Sequence, residues 1–129
     1  MSESRLAPKH LQLGVAGERM AVAELERRGF SLIETNWRCQ AGELDAVMRD
    51  GAELVFVEVK TRLGASYGSA EEAMSAAKAR KLSLAAEWYL SVHADLGDPI
   101  WRIDLVAITI DREGNVIRFT HIANAALIG

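Results

Sequence analysis

The spacing of apolar residues predicts a helix followed by three strands in the first half of the chain. In residues 14–28, apolar side chains recur near helical spacing with Glu and Arg between them, and Gly29 is well placed to end the helix. Shorter apolar segments then alternate with polar residues, which is the pattern of β-strands. These segments predict three strands, at residues 30–38, 42–48 and 53–61.

Turn and capping residues organise the second half of this pattern. Asp50-Gly51 is a strong signal for a tight hairpin between the second and third strands. Ser69 and Glu72 match a capping box, which predicts a second helix from there to about residue 92. A fourth strand and a short fifth strand follow, at residues 100–110 and 116–122.

A helix between the third and fourth strands requires those strands to be parallel, whereas hairpin-connected strands are antiparallel. The order of elements therefore predicts an α/β fold with a mixed sheet of four or five strands flanked by helices. The chain of 129 residues suits one domain. We expect that domain at residues 13–122, between an N-terminal tail (1–12) and a C-terminal tail (123–129).

Composition and charge are those of an ordinary globular protein. The net charge is -3, and a protein that coats nucleic acid is usually basic. The single cysteine, Cys39, cannot form an internal disulfide, which fits the cytoplasm. No apolar run is long enough for a signal peptide or a membrane span, so we expect no membrane association.

The third strand carries the most informative residues. Side chains of 54–60 alternate between two faces, with Val55, Val57 and Val59 on one face. The other face carries Leu54, Phe56, Glu58 and Lys60. Both faces are apolar until Glu58, which predicts a central strand covered on both sides. An acid and an amine at the end of such a strand are costly to bury without partners.

The second strand offers a partner for Glu58. With Asp50 and Gly51 as turn residues, Asp45 would face Phe56, and Glu58 would face Glu43. Asp45 and Glu58 would then be diagonal neighbours, about 7 Å apart and within reach of one shared ion.

Two converging carboxylates suit Mg²⁺ or Mn²⁺, which prefer oxygen ligands. We expect Asp45 and Glu58 to hold the metal, and Lys60 to orient the attacking water or to stabilise charge on a phosphate. The alternative interpretation is structural: Glu58 and Lys60 would form a surface ion pair, and Asp45 would be a solvated acid.

The segments Gly42-Glu43-Leu44-Asp45 and Val57-Glu58-Val59-Lys60-Thr61-Arg62 resemble the YraN family of bacterial proteins. That family is similar to the PD-(D/E)xK superfamily, which holds restriction endonucleases and archaeal Holliday junction resolvases. The first motif here lacks the Pro of the superfamily name. The resemblance covers most of the chain and includes Gly17-Glu18, Asn36-Trp37-Arg38, Lys78 and Arg102-x-Asp104.

The resemblance implies a restriction-endonuclease-like fold with elements in the order α-β-β-β-α-β. It implies that Asp45 and Glu58 are metal ligands, that Lys60 is catalytic, and that Glu18 is the first-helix acid that completes the site. It places Lys78 near the site. Arg38, Arg62 and Lys78 are the candidates for contacts with phosphates, although each could equally be an ordinary surface charge. For Asp104 we favour a structural role as the partner of Arg102.

Gly64-x-Ser66-x-Gly68 matches a hydrolase nucleophile motif. That motif requires a sharp strand-to-helix turn, and here several loop residues separate Ser66 from both elements, so we disfavour a serine hydrolase.

Two functions remain open. The first is metal-dependent cleavage of nucleic acid, with DNA favoured over RNA and a branched or damaged DNA as a candidate substrate. The second is a nucleic-acid-binding or partner-binding module that keeps the nuclease fold without turnover, which the negative charge favours. Resolvase-like proteins are often dimers, so a homodimer is compatible with either.

Overall fold

The computed structural model describes residues 9–64 and 74–127, which form two helices, five strands and two short 3-10 turns. The helices are α1 (Lys9–Arg27) and α2 (Ala76–Val92). The strands are β1 (Ser31–Cys39), β2 (Gly42–Asp50), β3 (Glu53–Leu63), β4 (Trp101–Ile110) and β5 (Val116–Ile122). The short turns are Ala94–Leu96 and Ala125–Leu127.

The strands form one mixed sheet in the order β1-β2-β3-β4-β5. Strands β3 and β4 are parallel, and the other neighbours are antiparallel. The predicted α/β fold, with its mixed sheet and the order α-β-β-β-α-β, is confirmed. Strand β3 is central, as the apolar pattern predicted, because it has two neighbours on each side.

Two apolar layers cover the faces of the sheet. Val55 and Val57 pack with Ala21 and Leu25 of α1. The opposite face packs against α2 through Leu54, Phe56 and other buried residues, among them Leu82, Ala85 and Tyr89. The predicted alternation of faces along β3 is confirmed, and burial of both faces supplies most of the driving force for the fold.

The turn between β2 and β3 lies one residue later than predicted, and the pairing register of the two strands is therefore shifted by two residues. Asp50 pairs with Glu53, so Gly51 and Ala52 are the turn residues. Gly51 has a φ of 63°. A glycine at the first central position is typical of a type II′ turn, whereas the predicted turn had Gly51 at its second central position. The predicted register, in which Asp45 faces Phe56 and Glu58 faces Glu43, is therefore wrong.

Both helices begin at residues other than the predicted ones. Helix α1 starts at Lys9, within the predicted tail 1–12. Helix α2 starts at Ala76, because the Ser75 hydroxyl caps it by accepting the Lys78 backbone N–H at 3.1 Å. The predicted capping-box residues Ser69 and Glu72, and the motif residue Ser66, lie outside the described residues.

At the C-terminus, Ala125 is buried within a short turn, so the predicted tail 123–129 packs in part against the core. The proposed division into one domain and two tails stays a prediction. Over the described ranges, neither helix combines the length and apolar character that a membrane crossing requires.

Helix α1 packs tightly against β3 at Gly17. A Cβ added there would lie 1.8 Å from Thr61 Oγ1 and 2.9 Å from Thr61 Cβ. Only a residue without a side chain allows this contact, and Glu18 follows it directly in the helix. The Gly17–Thr61 contact therefore sets how close Glu18 comes to the end of β3.

We predict that Gly17→Ala lowers the free energy of unfolding by about 1–3 kcal/mol, the usual cost of overpacking a filled interface. Urea denaturation measures the change. Combining Gly17→Ala with Thr61→Gly should recover part of the loss, since the obstructing side chain is then gone. Equal destabilisation by Gly17→Ala with and without Thr61→Gly would contradict this account.

Candidate active site

Asp45 lies where β2 and β3 stop pairing. The last pair of the ladder is Ala46 with Val57, so Asp45 and Glu58 are the first residues beyond the β2–β3 ladder and lie on neighbouring strands. The Val59 backbone N–H, which faces β2 here, donates to Asp45 Oδ2 at 2.8 Å. A side-chain carboxylate thus takes the role that a strand carbonyl has in the ladder, and it is held beside Glu58.

The backbone is irregular in β2 around Asp45 and in the part of β1 that faces it. Leu44 packs in the α2-side layer and Ala46 in the α1-side layer, although residues two apart normally share a face. On β1, Asn36 stands opposite Asp45 and has a φ of 54°, a left-handed conformation that is uncommon outside glycine. This distortion frees Asp45 from either apolar layer.

The Asp45 carboxyl is strongly perturbed. Burial is the main cause that raises its pKa to about 8, and the nearby Glu58 carboxylate is the second. Glu18 and Glu43 add to the same effect, while the hydrogen bond from Val59 opposes it. Four carboxyl groups from α1, β2 and β3 therefore influence one another at this end of the sheet.

Lys78 of α2 provides a counter-charge. Its Nζ lies 3.0 Å from Glu58 Oε2, and the Glu58 side chain is only 12% exposed. The hydrogen bond to Glu58 is the main cause that raises the pKa of Lys78, and the Asp45 and Glu43 carboxylates add to it. Lys78 therefore lies beside the acids, near the site as the family resemblance implied, and its partner there is Glu58.

Asn36 joins the acids on the α1 side. Its amide donates to Glu18 Oε1 at 3.0 Å and lies 3.3 Å from Glu43 Oε2. Arg38 Nε is 3.5 Å from the same Glu43 oxygen. Asn36 was not among the site residues expected from the sequence. The only available signal was a polar side chain inside a strand and within a family motif.

The remaining candidates lie further along β3. Lys60 is exposed two residues beyond Glu58 and forms no ion pair with any residue in the described ranges. Arg62 is partly buried and pairs across the sheet with Thr109 of β4. The structure thus brings Asp45, Glu58, Glu18, Lys78 and Arg38 together, and it leaves Lys60 at the open edge of the group.

The chemistry of these donors fits a hard divalent cation. Asp45 and Glu58 supply carboxylate oxygens, and a cation between them would offset the repulsion that raises the Asp45 pKa. Among the described residues, no three Asp, Glu, His or Cys side chains enclose a metal position by themselves. Magnesium needs no such cage, because it keeps several waters and is held by one or two carboxylates.

Asp104 belongs to a separate cluster on β4. It is fully buried and accepts hydrogen bonds from Arg102 Nε at 2.9 Å and from the Asn124 backbone N–H at 3.1 Å, and it lies 2.8 Å from His121 Nε2. Arg102 also forms ion pairs with Glu53 and Asp50 at the start of β3 and the end of β2. These contacts agree with a structural role for Asp104.

The fold and this group of residues define an α/β chain with one acid on its central strand β3, a second acid on the adjacent strand β2, and lysines beside them. The model of the uncharacterised protein family UPF0102 matches residues 17–108. The chain belongs to this family, and the YraN resemblance is thereby confirmed.

Relatives cover nearly the whole chain. A UPF0102 protein of Roseiflexus castenholzii is 40% identical over 117 residues, which cover 91% of this chain and 94% of the relative. A UPF0102 protein of Pelotomaculum thermopropionicum is 42% identical, covering 88% of this chain and 93% of the relative. A UPF0102 protein of Geobacter sulfurreducens is 47% identical, covering 88% and 87%.

We predict that Asp45→Asn stabilises the metal-free protein at high pH. The folded chain keeps the Asp45 proton between the ordinary pKa of 3.8 and about 8, whereas the unfolded chain loses it. The free energy of unfolding therefore falls as pH rises through that interval. In EDTA, Asp45→Asn should flatten this slope and add roughly 2 kcal/mol at pH 8, a value discounted for partial exposure.

Asp104→Asn is the matched control with the opposite sign. Burial alone would raise the pKa of Asp104, but the hydrogen bonds of His121, Arg102 and Asn124 lower it below its ordinary value. Its ionised form therefore stabilises the fold at neutral pH, and this contribution is lost on acidification. Urea unfolding at pH 5 and pH 8 measures both variants, and a loss of stability in Asp45→Asn at pH 8 would contradict the account.

Proposed function

We propose that this protein is a divalent-metal-dependent nucleic-acid phosphodiesterase, an endonuclease that acts on DNA in preference to RNA. The observation that carries the proposal is the pairing of Asp45 with Glu58 at the opening between β2 and β3, with Val59 orienting one carboxylate and Lys78 the other. Two carboxylates held this way form the minimal protein contribution to a Mg²⁺ or Mn²⁺ site.

In this proposal Asp45 and Glu58 bind the cation. When bound, such an ion polarises a phosphate oxygen and lowers the pKa of a coordinated water. Lys60 stands at the open edge of the group, where its ammonium can reach a phosphate and stabilise the negative charge that builds up during cleavage. Glu18 completes the acid group and is oriented by Asn36.

In this proposal the two arginine candidates contact phosphates at different distances from the acids. Arg38 lies on the α1 side of the acids, where it neutralises Glu43 and can contact a neighbouring phosphate. Arg62 lies further along β3 and could contact a more distant one. Four-way, flapped and damaged DNA are the candidate substrates, since the sequence resemblance includes resolvases.

A second candidate is a nucleic-acid-binding or partner-binding module without turnover. The observation that favours it is the Lys78–Glu58 ion pair, which gives Glu58 a partner within the protein. Measurement of metal binding separates the two candidates directly.

We predict that isothermal titration calorimetry detects Mn²⁺ binding to the wild-type protein, and that Glu58→Ala weakens it by at least about tenfold. Glu87→Ala, which removes an exposed acid of α2, is the matched control and should bind Mn²⁺ as the wild type does. If the wild-type protein binds DNA but shows no heat of Mn²⁺ binding, the result favours the binding module without turnover.

We predict that Lys60→Ala keeps metal affinity within about twofold but lowers the rate of cleavage by about 100-fold or more, because its charge acts on the phosphate. The assay follows single-stranded, duplex, flapped and four-way DNA with Mg²⁺ or Mn²⁺. Asp45→Ala and Glu58→Ala are tested in parallel. Full cleavage by either acid variant would show that the activity comes from another site.

A further inference from the structure

A positively charged hollow lies at the start of α2. It has a volume of about 530 Å³. Three of its lining residues are cations, and none is an acid. The lining consists of Ser75, Ala77, Lys78, Arg80, Lys81 and Leu84.

Two of these cations have no counter-charge in the described part of the chain. Arg80 and Lys81 are exposed, and neither forms an ion pair with a described residue. In contrast, Arg27 and Arg28 of α1 both pair with Glu24. Among the residues that the structure describes, this hollow is therefore a local concentration of positive charge, on a chain whose net charge is -3.

The third cation joins the hollow to the candidate site. Lys78 lines the hollow, and its Nζ contacts Glu58 Oε2 at 3.0 Å. An anion in the hollow therefore lies one side chain away from the acid pair.

The opposite side of the site has the reverse character. A groove of about 750 Å³ runs between α1 and β1, and its lining includes Glu18, Glu26 and Glu43 as well as Arg19 and Arg38. Arg38 already pairs with Glu43. The lining of this groove thus has three acids and two cations, so the α2 side is the more favourable approach for most of a phosphate strand.

We infer that the hollow at the start of α2 binds backbone phosphates of a nucleic-acid strand beside the phosphate held at Asp45 and Glu58. The inference rests on the proposed function for its place next to the site, and it adds the direction from which the strand approaches. The hollow offers flexible cations and an apolar wall, which suit phosphate contacts that do not read base sequence.

The test measures binding of fluorescein-labelled single-stranded and duplex oligonucleotides by fluorescence anisotropy, in EDTA and over a salt series. The variant combines Arg80→Gln with Lys81→Gln. The control combines Arg112→Gln with Arg118→Gln, two exposed arginines in the β4–β5 region. Both variants change the net charge by the same amount, so long-range effects cancel between them.

We expect the hollow variant to weaken binding at least about tenfold for every sequence, and to reduce the slope of log affinity against log salt by about 2. The control should change affinity by less than about twofold. Equal weakening by the two variants would overturn the inference, because the effect would then be one of net charge alone.

Competition with inorganic phosphate tests whether the hollow binds a nucleic-acid strand or a small free anion. We expect millimolar phosphate to displace the oligonucleotide poorly, since a strand places several charges at once. Displacement as effective as that by unlabelled oligonucleotide would assign the hollow to a small free anion instead.

Binding and cleavage assays distinguish failure of phosphate binding in the hollow from failure of the proposed nuclease activity. Metal-dependent cleavage that persists unchanged in the hollow variant, with binding equal to the control, would refute the hollow and leave the nuclease. Hollow-dependent binding without metal binding or cleavage would support the hollow and refute the nuclease.

Discussion

The hydrogen bond from the Val59 backbone to the Asp45 carboxylate marks the point where the sheet opens. On its other side β3 remains paired with β4 as far as Leu63 and Ile110. Beyond Val57, the strand is therefore paired with β4 on one edge and has no strand partner in β2 on the other. The acids Asp45, Glu58 and Glu18 and the counter-charge of Lys78 meet at this opening, whereas Lys60 and Arg62 lie further along β3.

The opening has an energetic cost that other parts of the fold offset. Burying Asp45 near other acids disfavours its charged form, and Asn36 adopts an uncommon backbone conformation beside it. On the neighbouring strand β4, Arg102 and Asp104 form a buried network of ion pairs and hydrogen bonds opposite Val55 and Val57. Two apolar layers cover the faces of the sheet around these groups. The domain thus supports a strained, charged edge with a well-satisfied core.

The two helices contribute opposite charges to the two sides of the opening. Helix α1 comes close enough to present Glu18 because Gly17 has no side chain against Thr61. Helix α2 begins at a Ser75 cap, which places Lys78 in its first turn and within reach of Glu58. The opening is thus acidic on the α1 side and basic on the α2 side. This charge asymmetry is the reason for proposing that a nucleic-acid strand approaches over α2.

Sequence alone determined the features that depend on periodicity. Alternation along β3 identified a central strand, its two faces, and an acid and an amine at its end, since side chains of a strand repeat every two residues. The family resemblance named Glu18, Asp45, Glu58 and Lys60 as members of one site and placed Lys78 near it. It could not say which atoms would be in contact.

Tertiary structure decided the register and the contacts between distant segments. A shift of two residues keeps every side chain on its face, so the apolar pattern cannot distinguish it from the true register. The type II′ turn at Gly51 decides it, and this puts Asp45 next to Glu58 rather than Phe56. The Lys78–Glu58 pair and the hollow beside it arise only when α2 packs on the sheet, because packing, not local pattern, brings residues twenty positions apart together.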